Sequence, residues 1–237
     1  MKRTIIKGCR TSNPTVETRT VVINRGGTII EVQNDPCFEG PTVTVKGANT
    51  KKFWDEHPND GNRVQMSEGA KLLSKKLEAD PKLAAEMGVS NEDTAKLKEG
   101  RTDLPNHTVH HLHTGSGDDC DVQLVRKPDH QKNPHKGGML TSNKDRMNKE
   151  AEKQGTLPQN EFERMRNNVE FLMHKHPKAT SAGVGVATTA VLCGGYDWVC
   201  KKLGRKPSNW GYAACTAIGV AAGVITHSKL NDGKIYL

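Results

Sequence analysis

Histidine is concentrated in one stretch of this sequence. The chain contains ten histidines, and six of them lie between His107 and His135. Neutral imidazole is a good ligand for borderline transition metals, and histidine is the side chain whose ordinary pKa lies near physiological pH. The stretch therefore predicts a site that binds a metal ion, transfers protons, or does both.

The spacing of these histidines separates two roles. His110 and His111 are adjacent on a predicted strand, where successive side chains point to opposite sides. One of them can therefore ligate a metal ion while the other activates water. His130 and His135 are five residues apart, which exceeds the spacing of a regular helical pair. The turn-forming residues around His135 predict that a short helix ends there and bends this imidazole back toward the ion.

Strand, turn and helix signals surround the histidines in a definite order. The segments "TVHHLH" and "CDVQLV" are strand candidates, and "GSGDD" between them is a turn. Pro128 then starts a short helix that carries His130. The sequence therefore predicts a β-hairpin followed by a helix.

Further elements are predicted upstream of this hairpin. The segment "TRTVVINRGGTIIEV" predicts an earlier hairpin, and "GPTVTVKG" predicts a third strand. Residues 67–100 predict three short helices with tight turns. Asp80 before Pro81 caps the second of these helices, and Ser90 caps the third.

In order and spacing, these features resemble the HNH/endonuclease VII superfamily of ββα-metal nucleases, in particular its bacterial polymorphic-toxin branch. That branch has a helical lead-in, a W-H-H or L-H-H sequence, M-Q-L-V, a histidine and H-x-G-G. Over about residues 50–140 this chain has "LLSKKLEADPKLAAEMG", "VHHLH", "DVQLV", "PDH" and "PHKGGM". It departs from the pattern at Val109, where Trp or Leu is usual, and in "GSGDDC", which lengthens the hairpin turn.

The resemblance implies roles for individual residues. His111 would be the general base, and His110, His130 and His135 would ligate one divalent metal ion. Three-histidine sites accept several ions, so Mg²⁺, Mn²⁺, Ni²⁺ and Zn²⁺ all remain candidates. Further side chains are candidates for contacting a phosphate or orienting an imidazole: His113, Asp121, Lys127, Lys132 and Lys136. Asp121, like Asp119 and Asp129, has the alternative role of a turn or cap residue.

Composition favours an acidic partner but limits how it is bound. The net charge is +8 and the pI about 9.2, which suits nucleic acid or anionic lipid. Aromatic residues make up 4% of the chain, which disfavours recognition of single strands by base stacking. The resemblance to these nucleases implies DNA as the substrate, with RNA as the alternative.

The cysteines and the amino terminus exclude other classes. The six cysteines include no C-x-x-C pair, which argues against a zinc ribbon or a thioredoxin-like site and favours reduced thiols. The amino terminus lacks an apolar segment long enough for a cleaved Sec signal peptide.

The carboxy-terminal part has a different composition. Residues 179–196 and 207–226 carry no charge, and a basic segment separates them. Both stretches approach the length needed to span a bilayer, although Gly, Ala, Thr and Val dominate them. Gly219 and Gly223 form a G-x-x-x-G close-packing pattern. A membrane-associated hairpin with its basic loop on the cytoplasmic side and a soluble helical hairpin are both open.

The predicted fold class is α+β, with a ββα-metal core between a small β region with short helices and a carboxy-terminal helical hairpin. Four regions are expected: a β-rich segment, the HNH-like nuclease domain, a linker with an amphipathic helix, and the apolar hairpin, at residues 1–50, 51–140, 141–178 and 179–237. The amphipathic helix is expected to pack through Phe162, Met165, Val169, Leu172 and Met173.

The predicted function is a metal-dependent endonuclease that hydrolyses DNA. The resemblance further implies a secreted or injected bacterial toxin acting in a target-cell cytoplasm, with a cognate immunity protein; a cytoplasmic protein is the alternative location. Two other functions remain open. One is a membrane-inserting protein with a regulatory histidine metal site, and the other is an inactive module that binds metal or nucleic acid.

Overall fold

The computed structural model describes residues 2–11, 14–115, 117–136 and 138–237. The fold is a mixed α+β structure, which confirms the predicted class at that level. The chain forms two units, the first extending to Asn167 with Leu237 added, and the second running from Asn168 to Tyr236. Ser116 of the predicted turn and Gly137 of "HKGG" lie outside the described residues.

The first sheet is built around the predicted glycine hairpin. Gly26 and Gly27 have φ of 61° and 85°, a left-handed conformation that favours glycine, and they join two antiparallel strands. A short strand pairs in parallel with the second of these. In chain order the three strands are β1 (Thr4–Lys7), β2 (Thr18–Arg25) and β3 (Thr28–Pro36).

A second sheet carries the histidine hairpin. Its strands are β4 (Thr42–Val45), β5 (His107–His111) and β6 (Cys120–Arg126), in the antiparallel order β4-β6-β5. Thus β4 pairs with the histidine hairpin and not, as expected from its place in the sequence, with the N-terminal β region. Period-two alternation predicted the strand, but it carries no information about the partner.

Four helices separate β4 from β5: α1 (Lys51–Glu56), α2 (Gly61–Ala79), α3 (Pro81–Met87) and α4 (Asn91–Lys98). The predicted caps are present, because Asp80 accepts from the Leu83 N–H and Ser90 accepts from the Asp93 N–H. The first predicted helix starts earlier than residue 67. Leu73 and Leu77 of α2 are buried in the core beneath the second sheet.

The hairpin is followed at once by α5 (Lys127–Lys132), and then by α6 (Met139–Ser142) and α7 (Lys144–Lys153). The segment predicted as a polar linker therefore contains a capped helix, since the Asn143 side chain accepts from two N–H groups at the start of α7. Met147 and Ala151 of α7 are fully buried, and Met147 packs in the core of the first sheet. These two apolar side chains attach an otherwise polar and largely exposed helix to the core.

The amphipathic helix forms as α8 (Glu161–Lys175), but the expectation that its apolar face is packed was wrong. Four of the side chains predicted to pack are more than half exposed: Phe162, Met165, Val169 and Leu172. The helix is held along another edge. Asn167 donates to the Gly27 carbonyl over 2.9 Å, and Phe171, one turn later, is buried.

The second unit is dominated by two long helices, α9 (Pro177–Lys202) and α10 (Asn209–Leu230), followed by a two-residue strand, β7 (Ile235–Tyr236). They form the predicted helical hairpin. Among the described residues, α10 is the one helix that is long and apolar enough to cross a membrane, and 11% of its most apolar window is buried.

Candidate metal centre

Three imidazoles converge from three parts of the first unit. His110 lies on β5, His130 on α5, and His135 three residues after α5 ends. Their candidate ligand nitrogens all lie within 4.8 Å of one another. The ring centroids are 4.8–5.3 Å apart. The structure thus brings together the three residues that the resemblance names as metal ligands.

His135 is held by backbone contacts that also select its tautomer. Its Nδ1 lies 2.7 Å from the Asn133 carbonyl oxygen, which can only accept, so Nδ1 carries the proton and Nε2 is left as the ligand atom. The segment is fixed from the amino-terminal side, because Arg10 N–H donates to Pro134 and Lys136 N–H donates to Gly8. Residues far from the predicted nuclease domain therefore position one ligand.

The fully buried Asn133 ties the same segment together. Its side-chain nitrogen donates to the Thr15 hydroxyl and to the Asp129 carbonyl, at 2.9 and 2.8 Å, and its Oδ1 accepts from the Thr15 N–H. These bonds fix the bend between the end of α5 and His135. The bend brings His130 and His135 together despite their five-residue spacing.

Phe38 packs against all three imidazoles. Its ring centroid lies 5.2, 5.6 and 5.3 Å from those of His110, His130 and His135. Gln123, opposite His110 in the sheet, donates to the Phe38 and Gly40 carbonyls and so holds the connection that carries this ring. An apolar wall of this kind limits water and lowers the local dielectric around a metal site.

The three imidazoles are kept neutral, which a metal ion requires of its ligands. Burial lowers the pKa of each below the ordinary value of 6.5, most strongly for His110. Repulsion between neighbouring imidazolium charges lowers the pKa of His110 and His130 further. A tetrahedral ion needs ligand nitrogens about 3.4 Å apart, given metal–nitrogen bonds near 2.1 Å. The donor set therefore fits a transition-metal ion after a small inward movement of the rings.

His111 points to the other side of β5, toward α2. Gln65 of α2 donates its Nε2 to the Ala48 carbonyl, at 2.5 Å, and to Asn49 Oδ1, at 3.0 Å. The Gln65 oxygen is therefore the atom that faces His111, and the His111 Nε2–H donates to it over 3.0 Å. This arrangement leaves the lone pair on Nδ1, so His111 is oriented as a neutral base.

Burial also makes His111 an acid-sensitive element of the fold. It lowers the pKa of His111 to about 4, whereas the unfolded chain takes up the proton near 6.5. The folded state therefore binds fewer protons between these values, so its stability is complete above pH 6.5 and falls as the pH drops toward 4. By the linkage relation, protonation of His111 lowers the free energy of unfolding by about 3 kcal/mol as the pH falls from 6.5 to 4.

Urea unfolding of the metal-free protein, followed at several pH values between 7.5 and 4.5, measures this contribution. We expect the free energy of unfolding of wild type to fall more steeply with acidification than that of His111→Gln, which has no group to titrate. His57→Gln, at a partly exposed histidine, is the control and should follow wild type. Parallel curves for wild type and His111→Gln would contradict the assignment.

His113 is placed in a buried network. The strand ends at His111, so strand alternation does not extend to His113. Its Nε2 lies 3.1 Å from Asp35 and 3.1 Å from the Lys136 carbonyl, and its Nδ1 lies 3.2 Å from the Thr141 hydroxyl. Both ring nitrogens therefore have partners, and His113 links Asp35 of β3 to Lys136 and Thr141 in the segment after His135.

The other sequence candidates lie around this centre in different ways. Asp121 accepts from the Thr44 hydroxyl on β4 over 2.6 Å, and this contact lies within the sheet and not at an imidazole. Lys127 forms an ion pair with Asp103 at 2.9 Å. Lys132 and Lys136 are exposed. His107 is buried against the Met87 carbonyl, away from the three ligands.

Several residues that shape the centre were not predicted from the sequence, namely Asp35, Phe38, Gln65 and Asn133. Only Gln65 had a readable signal. It lies four residues before Gly69 and eight before Leu73, on the buried face of α2, where a polar side chain needs a hydrogen-bond partner. The others act through contacts between distant parts of the chain.

Comparison of the chain with protein-family models, with curated proteins and with solved structures found no match.

Proposed function

We propose that this protein is a metal-dependent endonuclease of the ββα-metal type that hydrolyses phosphodiester bonds in DNA. The observation that carries the proposal is the convergence of His110, His130 and His135 from a hairpin and the helix that follows it, with His111 on the opposite side of the same strand. The order β5, β6, α5 and the neutral state of the three imidazoles support it.

The chain's own residues would divide the reaction between them. His111 would take a proton from the attacking water at Nδ1, while Gln65 holds the ring through Nε2. Lys132 and Lys136, both exposed, would contact the phosphates of the substrate. A divalent ion held by the three histidines would stabilise the charge that develops on the phosphate and on the departing oxygen.

The substrate class follows from charge and resemblance. The net charge of +8 favours a polyanion, and Phe38, the aromatic side chain that packs against the three histidines, is buried and so not offered for stacking on a base. Such a site would read phosphates and not stacked bases. A bacterial toxin or effector with a cognate immunity protein is the biological role that the resemblance supports.

Nicking of supercoiled plasmid, with Mg²⁺, Mn²⁺, Ni²⁺ or Zn²⁺ added to chelator-treated protein, tests the proposed function. We expect metal-dependent conversion to open-circular DNA, and no conversion with chelator present. A folded RNA is assayed in parallel to separate the two nucleic acids. If wild type does not cut and behaves like His111→Ala, the nuclease proposal fails; binding of DNA without cleavage would then favour an inactive binding module.

A further inference from the structure

The hairpin of α9 and α10 carries its large apolar side chains on the outside. Val186 and Val191 on α9 are 71% and 73% exposed, and Val220, Val224 and Ile225 on α10 are 56–64% exposed. Two helices that pack in water bury residues of this kind on their shared face. The distribution on this hairpin is the reverse of that pattern.

Small residues occupy the contact between the two helices. Gly219 and Gly223 of α10 are buried against α9. A Cβ added to Gly219 would lie 2.8 Å from the Gly185 carbonyl oxygen, and one added to Gly223 would lie 2.9 Å from that of Ser181. The backbones thus approach as closely as glycine allows, which is how membrane helices associate when the surrounding solvent is apolar.

Four aliphatic hydroxyl groups along the hairpin are satisfied within their own helices. Each of four hydroxyls donates to the carbonyl four residues earlier, at 2.5–3.0 Å: Ser181, Thr189, Thr216 and Thr226. A helix in hydrocarbon must satisfy its polar groups internally, because no water is available. These four side chains meet that requirement without a partner from elsewhere.

The connection between the helices has the composition of a membrane interface. Four cations lie near it: Lys201, Lys202, Arg205 and Lys206. Trp198 and Trp210 flank it at 63% and 86% exposure, and Lys202 Nζ lies 5.8 Å from the Trp198 ring centroid. Exposed tryptophan beside lysine and arginine is typical of the headgroup level of an anionic leaflet.

We propose that α9 and α10 insert into an anionic lipid bilayer as a preformed hairpin, with Trp198, Trp210 and the basic connection at one interface. At 1.5 Å per residue, the 22 residues of α10 extend about 33 Å, which matches a hydrocarbon core of about 30 Å. By length and composition alone only α10 qualifies among the described residues. The 18 uncharged residues of α9, which extend about 27 Å, would insert packed against it. This membrane role is separate from the proposed nuclease chemistry and does not depend on it.

Flotation of the full-length protein with vesicles tests the proposal. The vesicles contain phosphatidylcholine with or without phosphatidylglycerol, and the floated fraction is washed with high salt. We expect wild type to float with the anionic vesicles and to resist the wash. The double variant Val220→Lys/Val224→Lys should float at least tenfold less, because lysine is costly at the centre of a membrane helix.

The control is Ile5→Lys, which places a lysine at an exposed apolar residue of the first unit, where 51% of the side chain is accessible. It should float like wild type. Because Val220 and Val224 are exposed in the folded hairpin, circular dichroism of the double variant in buffer should match that of wild type. Failure of wild type to float, or equal salt-sensitive flotation of wild type and the double variant, would overturn insertion; the second result would indicate surface binding through the cations alone.

Discussion

Replacing His111 is expected to remove cleavage while leaving metal binding in place. His111→Gln keeps an N–H donor toward Gln65 but has no basic nitrogen to accept a proton from water. Loss of a general base lowers the rate of a hydrolysis by about 10²- to 10⁴-fold. We therefore expect kcat for plasmid nicking to fall by this factor, with the affinity for Ni²⁺ or Zn²⁺ within about threefold of wild type.

Calorimetry on chelator-treated protein measures the metal affinity, and nicking rates under saturating metal measure cleavage. Together they separate the loss of a general base from the loss of metal binding. A parallel loss of metal affinity would show that His111 acts through the ligand set and not as a base. Gln65→Leu provides a graded comparison, because it removes the acceptor that orients His111 and leaves the imidazole itself. Losing such an orienting contact typically costs 10- to 100-fold, so this variant should lie between wild type and His111→Gln.

The second large effect is expected from His130. It is half-buried and lies on the short helix α5 outside the hydrophobic core, so its replacement by Ala leaves the core of the second sheet intact. Two imidazoles would remain, too few for a site that needs three protein ligands. We expect His130→Ala to lose at least 100-fold in metal affinity and to show no metal-dependent cleavage.

We also expect His130→Ala to differ from wild type in how much added metal raises its melting temperature. An ion that binds only the folded state stabilises it by about 2.7 kcal/mol at a free concentration of 100 times Kd. Added metal should therefore raise the melting temperature of wild type and of the control His57→Ala, but not that of His130→Ala. An equal rise in all three proteins would place the ion somewhere other than this centre.

Local sequence patterns determined where the elements lie. The two glycines after Arg25, the Asp80 and Ser90 caps, and the short helix predicted at Pro128, which begins one residue earlier, all formed. Each depends on contacts within about four residues along the chain, and the sequence displays such contacts directly. Strand alternation likewise placed His110 and His111 on opposite sides of β5.

The packing of some elements did not follow from these patterns. The apolar spacing of α8 predicted a packed face, yet Phe162 and Met165 are exposed and Asn167 makes the buried contact. The polar segment before it forms the helix α7, which buries Met147. A periodic pattern identifies a face, but whether another element covers that face depends on the rest of the chain.

The sequence by itself therefore determined that the histidines cluster in one segment, that His110 and His111 lie on two sides of a strand, and that a hairpin and a helix carry them. Only the tertiary structure decided how the centre is assembled. It places three parts of the chain against the histidines: Phe38 from the connection between β3 and β4, Gln65 from α2, and the amino-terminal segment around Gly8. These contacts join residues 46 to 128 positions apart, and no local pattern encodes such pairs, because they arise from the simultaneous packing of both sheets and their helices.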